Sequence, residues 1–148
     1  MEHFDPRRPD AFQHAGTFNN NVLTMNAGLV GLTEIYTPER ARALNAWGDR
    51  LRERLNAVVK RSRLAMQFTG LGSMLSVHMT DRPIRSQDDA EQGNAKLRDL
   101  FYFDLVGRGI WFAKRGMFAL SIALDEVDGE RLVETVEEFA QTRAPLFS

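Results

Sequence analysis

The sequence predicts an α+β fold in which an antiparallel sheet of about three or four strands is covered by helices on one face. Apolar residues recur at spacings of three and four in four long segments, as in amphipathic helices. Shorter segments alternate apolar and polar residues, as strands do. These strand-like segments follow one another closely, and short turns favour antiparallel pairing over a doubly wound parallel sheet.

Length and composition restrict the class of protein. The 148 residues carry 19 basic and 20 acidic side chains, so the net charge is -1 and a nucleic-acid partner is not expected. Cysteine is absent, which excludes disulfides and thiolate chemistry and is compatible with the cytoplasm, the expected location. Because no apolar run reaches the roughly 20 residues that cross a bilayer, no membrane association is expected.

Residues 1–21 are predicted to form an irregular arm, and residues 22–148 a small α+β domain with its connecting helix. The arm contains Pro6, Pro9 and Gly16 and has no clear periodicity. A helix is predicted over 22–36, since Asn19–Asn21 supply good N-cap residues.

A second, long helix is predicted from Thr37-Pro38 to about Arg61, because threonine suits the N-cap and proline the first helical position. Its basic residues lie largely off the apolar stripe. We interpret them as a solvated face, with an anion-binding face as the alternative. The predicted buried stripe consists of Leu44, Trp47, Leu51, Leu55 and Val58.

The remaining elements alternate between strands and helices. Segments 64–69 and 75–79 are predicted to form a hairpin or a bent strand, followed by an exposed loop over 80–93 and a helix over 94–106. Two further strands are predicted over 110–113 and 118–124. Asp125 and Asp128 then mark the start of a last helix, where the helix dipole favours negative charge.

Few residues suggest chemistry from their spacing alone. The three histidines, His3, His14 and His78, lack the spacing of a metal site, and His78 is interpreted as a structural strand residue. The three lysines occupy predicted exposed positions, so no catalytic residue is assigned. Gly16-Thr17 precedes a helix start, where backbone N–H groups and a hydroxyl can hold a phosphate oxygen; an ordinary helix cap is the alternative.

Segment 14–29, HAGTFNNNVLTMNAGL, resembles the HxGTxxxNPLxMxAG segment of class III pyridoxal-phosphate aminotransferases. The similarity is greatest to the glutamate-1-semialdehyde 2,1-aminomutase-like branch. It continues in order through residues 36–39, 72–74, 108–110 and 115–121 and into the last helix. The resemblance therefore covers nearly the whole chain.

The resemblance implies the C-terminal small domain of a fold-type I enzyme that uses pyridoxal 5'-phosphate. It implies that Thr17, with the backbone of Gly16, contacts the cofactor phosphate across a dimer interface. The substrate would be an amino acid or an amino ketone. In this family the cofactor-binding lysine lies upstream of the GT motif, so the chain is expected to lack that lysine region and not to be catalytic alone.

Three departures from the family pattern affect the expected reaction. Val22 replaces the proline after the asparagines, Arg115-Gly116-Met117 lies where the aminomutase branch has a glutamate, and Leu124-Asp125 lies where it has His-Thr. A related aminotransferase therefore fits as well as the aminomutase. Two alternatives remain open: a stand-alone interaction module, and a half-enzyme completed by a separate N-terminal chain. Because an uncovered helix 22–36 would present an apolar face, the expected partner is a second copy or the N-terminal half.

Overall fold

The computed structural model describes residues 2–5, 7–12, 16 and 21–147, which belong to two compact units, Met1–Thr37 and Pro38–Ser148. The first unit contains a short 3-10 helix, Glu2–Phe4, then helix α1, Val22–Val30, and a π-helical turn, Gly31–Ile35. Asn21 caps α1, because its Oδ1 accepts the N–H of Thr24 at 3.1 Å. The helix predicted over 22–36 is confirmed, whereas the division at residue 21 stays a prediction.

The second unit is built on helix α2, Pro38–Ser62, and a three-stranded antiparallel sheet in the order β1-β2-β3. The strands are β1, Gln67–Leu71; β2, Met74–His78; and β3, Met117–Ala119. The predicted apolar stripe of α2 is buried throughout. The pairs Phe68↔Val77 and Leu75↔Phe118 place the buried strand residues on one sheet face. The predicted α+β class and antiparallel sheet are therefore confirmed.

A polar stripe on α2 binds the β1–β2 hairpin. The Asn56 side chain exchanges two hydrogen bonds with the backbone of Phe68, at 2.9 Å to its N–H and 2.8 Å to its C=O. Asp49 accepts the N–H of Gly72 at 3.0 Å, and Arg52 donates to the C=O of Gly70 at 2.6 Å. Asn45, the fourth member, accepts the N–H of Ser73 at 3.0 Å. Spacings of three and four place all four side chains along one side of the helix.

Aromatic rings fill the core between the sheet and the later helices, α4, Ala95–Gly107, and α5, Glu126–Arg143. Phe101 and Phe139 are fully buried and meet edge to face, with ring centroids 4.9 Å apart. Phe112 stacks on Phe118 at 4.1 Å. The core thus joins α4, α5 and β3 through contacts that are far apart in sequence.

The solvated basic face of α2 also forms ion pairs with α5. Arg50, Arg54 and Arg61 pair with Glu126, Glu130 and Glu137 of α5. Each pair is separated by 76 residues in the chain, so the two helices run parallel in constant register. The Glu130 carboxylate raises the pKa of Arg54 through its hydrogen bond. The three arginine side chains stay largely exposed, so the predicted solvated face is confirmed, with ion pairs to α5 added to it.

Three local predictions differ from the structure. The predicted loop 80–93 contains a short helix, α3, Gln87–Glu91, because Ser86 and Asp89 form a capping box. Residues 110–113 form no strand; the Ala113 N–H bonds to the C=O of Met117 and closes a turn instead. The strand predicted over 118–124 is shortened to β3, since Leu124 donates to Ser121 in a turn.

His78 is a structural residue of β2, as its strand position indicated. Its Nε2 lies 2.9 Å from the hydroxyl of Thr69 on β1. Burial, and then the positive charge of Arg98, lower the pKa of His78 below its ordinary value. The neutral imidazole is therefore the form that the folded chain favours.

We expect Gly48→Ala to destabilise the second unit by about 2–3 kcal/mol, because a Cβ at this position would collide with the carbonyl of Gly72. The matched control is Gly107→Ala, where nothing lies within 4 Å and the change should be neutral or stabilising by up to about 1 kcal/mol. Urea unfolding measures both. Equal stability of the two variants would contradict this packing.

The free energy of unfolding should fall as the pH drops below the ordinary His78 pKa of about 6.5, because the unfolded chain takes up the proton first. His78→Gln keeps a hydrogen-bonding group beside Thr69 but does not titrate, so its stability should decline less between about pH 7 and 5. Urea unfolding at several pH values gives both slopes. Identical slopes would refute the assigned environment of His78.

Candidate functional site

The predicted phosphate contact lies before α1 in the first unit. Gly16 is exposed and lies outside regular secondary structure, five positions before the cap residue Asn21. Its backbone is therefore accessible to a ligand. Thr17, the other residue assigned to the cofactor, lies outside the described residues, as does His14.

Local contacts order the described part of the arm. Phe12 packs beside Phe4 with ring centroids 6.0 Å apart, and its N–H donates to the C=O of His3. Asp5 accepts hydrogen bonds from Arg7, which lower the pKa of that carboxyl. The charges of Asp5 and Arg7 therefore neutralise each other within the arm.

The helix that follows carries an uncovered apolar surface. No residue of α1 or of its π-helical turn is buried. Leu23 is 80% exposed, and Gly28 and Gly31 face open space, with nothing within 4 Å of a Cβ built at either position. The α1 face is defined by Val22, Met25, Leu29, Leu32 and Ile35, which recur at spacings of three and four and are all exposed. A contiguous apolar surface of this kind is typical of an interaction site.

The lysines do not form a buried amine site. Lys60 and Lys96 are exposed. Lys114 pairs with Asp99 at 3.2 Å and lies 5.4 Å from the ring centroid of Phe103. A lysine that forms an imine with a carbonyl ordinarily lies in a buried site, and none of these three lysines is buried.

No group of three or more possible metal ligands occurs in the part of the chain that the structure describes. Within the same residues, no helix is both long and apolar enough to cross a membrane.

An apolar cleft of about 160 Å³ opens in the second unit between α2 and the start of α5. Trp47 and Leu51 line one side, and Leu132 the other. Gly129 allows close approach, since a Cβ there would lie 3.1 Å from the Trp47 ring. The cleft lacks the paired carboxylates or nucleophile–base pair that would indicate independent catalysis.

Comparison with known proteins gives consistent results across sequence and structure, although no family model matches the chain. An uncharacterized aminotransferase of Schizosaccharomyces pombe is 42% identical over 147 residues, which are 99% of this chain and 33% of that protein. The β-phenylalanine transaminase of Variovorax paradoxus is 43% identical over 94% of this chain and 32% of its own length. A glutamate-1-semialdehyde 2,1-aminomutase of Bacillus pumilus is 34% identical over 86% of this chain and 30% of its own.

The solved structures agree with these relatives. The β-phenylalanine aminotransferase of Variovorax paradoxus superimposes with a TM-score of 0.91 at 42% identity, over 99% of this chain and 34% of that one. An ω-transaminase from Sphaerobacter thermophilus gives 0.76 at 28% identity, over 98% of this chain and 33% of its own. The chain spans about a third of the length of the relatives it matches. Its homologues are class III aminotransferases, and the chain matches the C-terminal part of these longer proteins.

Proposed function

We propose that this chain supplies the C-terminal part of a pyridoxal-phosphate-dependent class III aminotransferase, contributing a cofactor-phosphate contact and the rim of the substrate pocket. The observation that carries the proposal is the superposition on a β-phenylalanine aminotransferase over 99% of the chain. The positions of the lysines support this proposal, since Lys60, Lys96 and Lys114 all lie at the surface and not in an enclosed cofactor site. The cofactor-binding lysine then belongs to the other part of the enzyme.

Gly16 and Thr17 would hold the cofactor phosphate. The exposed position of Gly16 before a helix start fits an oxyanion, because backbone N–H groups and a threonine hydroxyl donate to phosphate oxygens. When bound, pyridoxal phosphate supplies the electron sink for bond breaking at the amino-bearing carbon of the substrate. The part played by this chain is to anchor the phosphate and to shield the reacting centre from water.

Transamination is the proposed reaction, rather than the intramolecular amino transfer of an aminomutase. The two relatives with 42–43% identity are aminotransferases, whereas the aminomutases reach 28–34%. Arg115-Gly116-Met117 also departs from the glutamate of the aminomutase branch. The proposed substrate class is an amino acid or amino ketone, and the proposed location is the cytoplasm.

The proposed partner covers the α1 face, which the side chains of the first unit leave exposed. Within an aminotransferase, that partner is the N-terminal part of the enzyme, and the assembled enzyme is a homo-oligomer. The open space around Gly28 and Gly31 allows another backbone to approach closely. The same face favours the second candidate function, an interaction module that associates through α1 without any chemistry.

A chimera tests the aminotransferase proposal. This chain replaces the matching third of the Variovorax paradoxus β-phenylalanine transaminase, and we expect bound cofactor and amino-group transfer to be retained. Thr17→Ala in the chimera should weaken cofactor binding roughly tenfold to a hundredfold, because a hydrogen bond to a charged group contributes about 1.5–3 kcal/mol. Equilibrium dialysis measures the affinity. Thr17→Ser, the matched control, should restore it.

Two outcomes would contradict this proposal. If a folded chimera bound the cofactor equally well with threonine and with alanine at position 17, Thr17 would not contact the cofactor phosphate. A folded chimera without transferase activity would leave the interaction module as the better account.

Self-association tests the α1 face. At high concentration the isolated chain should form dimers or larger species, and Leu29→Asp should lower the association constant at least tenfold by placing a charge on that face. Leu71→Asp, at an 82% exposed position on the hairpin, is the matched control and should have little effect. Sedimentation equilibrium measures association. A wild-type chain that stays monomeric would contradict an exposed docking face.

A further inference from the structure

The cleft between β2, α3 and the start of α4 contains a buried arginine atom without a partner. The cavity measures about 270 Å³, and Arg98 and Arg115 both line it. Nε of Arg98 is buried and has no hydrogen-bond partner among the described residues. Because burying an unpaired polar group of a charged side chain is costly, this atom indicates a missing acceptor.

The stem of Arg98 lies beside the turn that precedes β3. Gly116 adopts a φ of +100°, and a Cβ there would lie 3.5 Å from Cδ of Arg98 and 2.8 Å from the carbonyl oxygen of Val77. The N–H of Val77 donates to the C=O of Gly116 at 2.9 Å, which ties the turn to β2. Glycine is required at position 116 by the positive φ and by the nearby Val77 carbonyl, while the stem of Arg98 lies at ordinary contact distance from this turn.

The other charged groups leave the cavity net positive. Arg115 is exposed, and its Nη2 donates a long, weak hydrogen bond of 3.5 Å to the sulfur of Met117. Glu91 is the acidic lining residue, but its carboxylate accepts a hydrogen bond from Gln87 at 2.8 Å and forms no ion pair within the described residues. His78 is engaged by Thr69 and is more readily neutral than an exposed histidine.

We propose that this cleft binds the carboxylate or phosphate group of a small anion, with Arg98 as the buried ligand and Arg115 as the ligand on the solvent side. A guanidinium presents its N–H donors in a planar fork that matches both kinds of oxyanion. The cavity is several times larger than the roughly 30 Å³ that a water molecule occupies in the liquid, so it accommodates more than one solvent molecule. The inference uses residues of the second unit alone and does not depend on the proposed aminotransferase function.

The test is an amide NMR titration of the full chain, without cofactor, using inorganic phosphate, acetate and succinate at constant ionic strength. We expect saturable shifts confined to the amides of residues 77–79, 94–98 and 115–116. Tighter binding of phosphate identifies a phosphate group as the preferred ligand, and tighter binding of acetate or succinate a carboxylate. Either preference supports the proposal.

Variants distinguish specific anion binding in the cleft from nonspecific attraction of anions to surface arginines. Arg98→Met should weaken binding at least tenfold, Arg98→Lys less, and Arg115→Met severalfold. Arg42→Gln, which removes an equal charge from an exposed ion pair on α2, should leave binding unchanged. Because Arg115 is exposed, its variant keeps the test usable if Arg98→Met fails to fold. The proposal is overturned by unsaturable shifts in the wild type, or by equal binding in the Arg115→Met and Arg42→Gln variants.

Discussion

The attachment of α2 to the β1–β2 hairpin is the constraint on which the second unit depends. β1 lies at an edge of the sheet, where unpaired N–H and C=O groups need partners. Asn56 satisfies both groups of Phe68, so a side chain does there what a neighbouring strand would do. Gly48 lets the helix reach the turn at Gly72 without a collision. These polar contacts fix the position of α2 along the hairpin, in addition to the apolar contacts of its buried stripe.

Burial supplies most of the stabilisation of this arrangement. The stripe of α2, the inner sheet face and the rings around Phe101 form one continuous core, and roughly 25 cal/mol is gained per Å² of apolar surface removed from water. The three pairs between α2 and α5 are largely exposed to solvent, so each contributes little to stability. Their constant separation serves mainly to fix the register of two parallel helices. Arg98 belongs to α4, so the packing of α4 in this core places Arg98 beside β2.

The sequence predicted the long helices well because their apolar periodicity reflects a single buried side. The buried residues Leu51, Leu55 and Val58 are an example. It predicted the strands less well. Residues 110–113 have apolar and aromatic side chains that suit a strand, but Phe112 is buried by ring packing and not by strand pairing. A pattern of apolar residues records burial and does not record which backbone groups are paired.

The residues of the two candidate sites differ in how far the sequence could predict them. Gly16 and Thr17 were assigned from a resemblance in sequence, which requires no three-dimensional information, and their assignment stays a prediction. The polar stripe beginning at Asn45 had a visible signal, since its members recur at helical spacing, but polar residues on a helix are ordinarily solvated. The unpaired Nε of Arg98 had no signal, because a missing partner is defined by the surrounding fold.

The central claim is that covalent attachment of the cofactor takes place outside these residues, which anchor its phosphate and shape the pocket. The most direct measurement is mass spectrometry of the isolated chain after incubation with pyridoxal phosphate and borohydride reduction. The account predicts no stoichiometric cofactor adduct on Lys60, Lys96 or Lys114, in keeping with their places at the surface. A stoichiometric adduct on one of them, together with turnover of an amino acid by the chain alone, would contradict it.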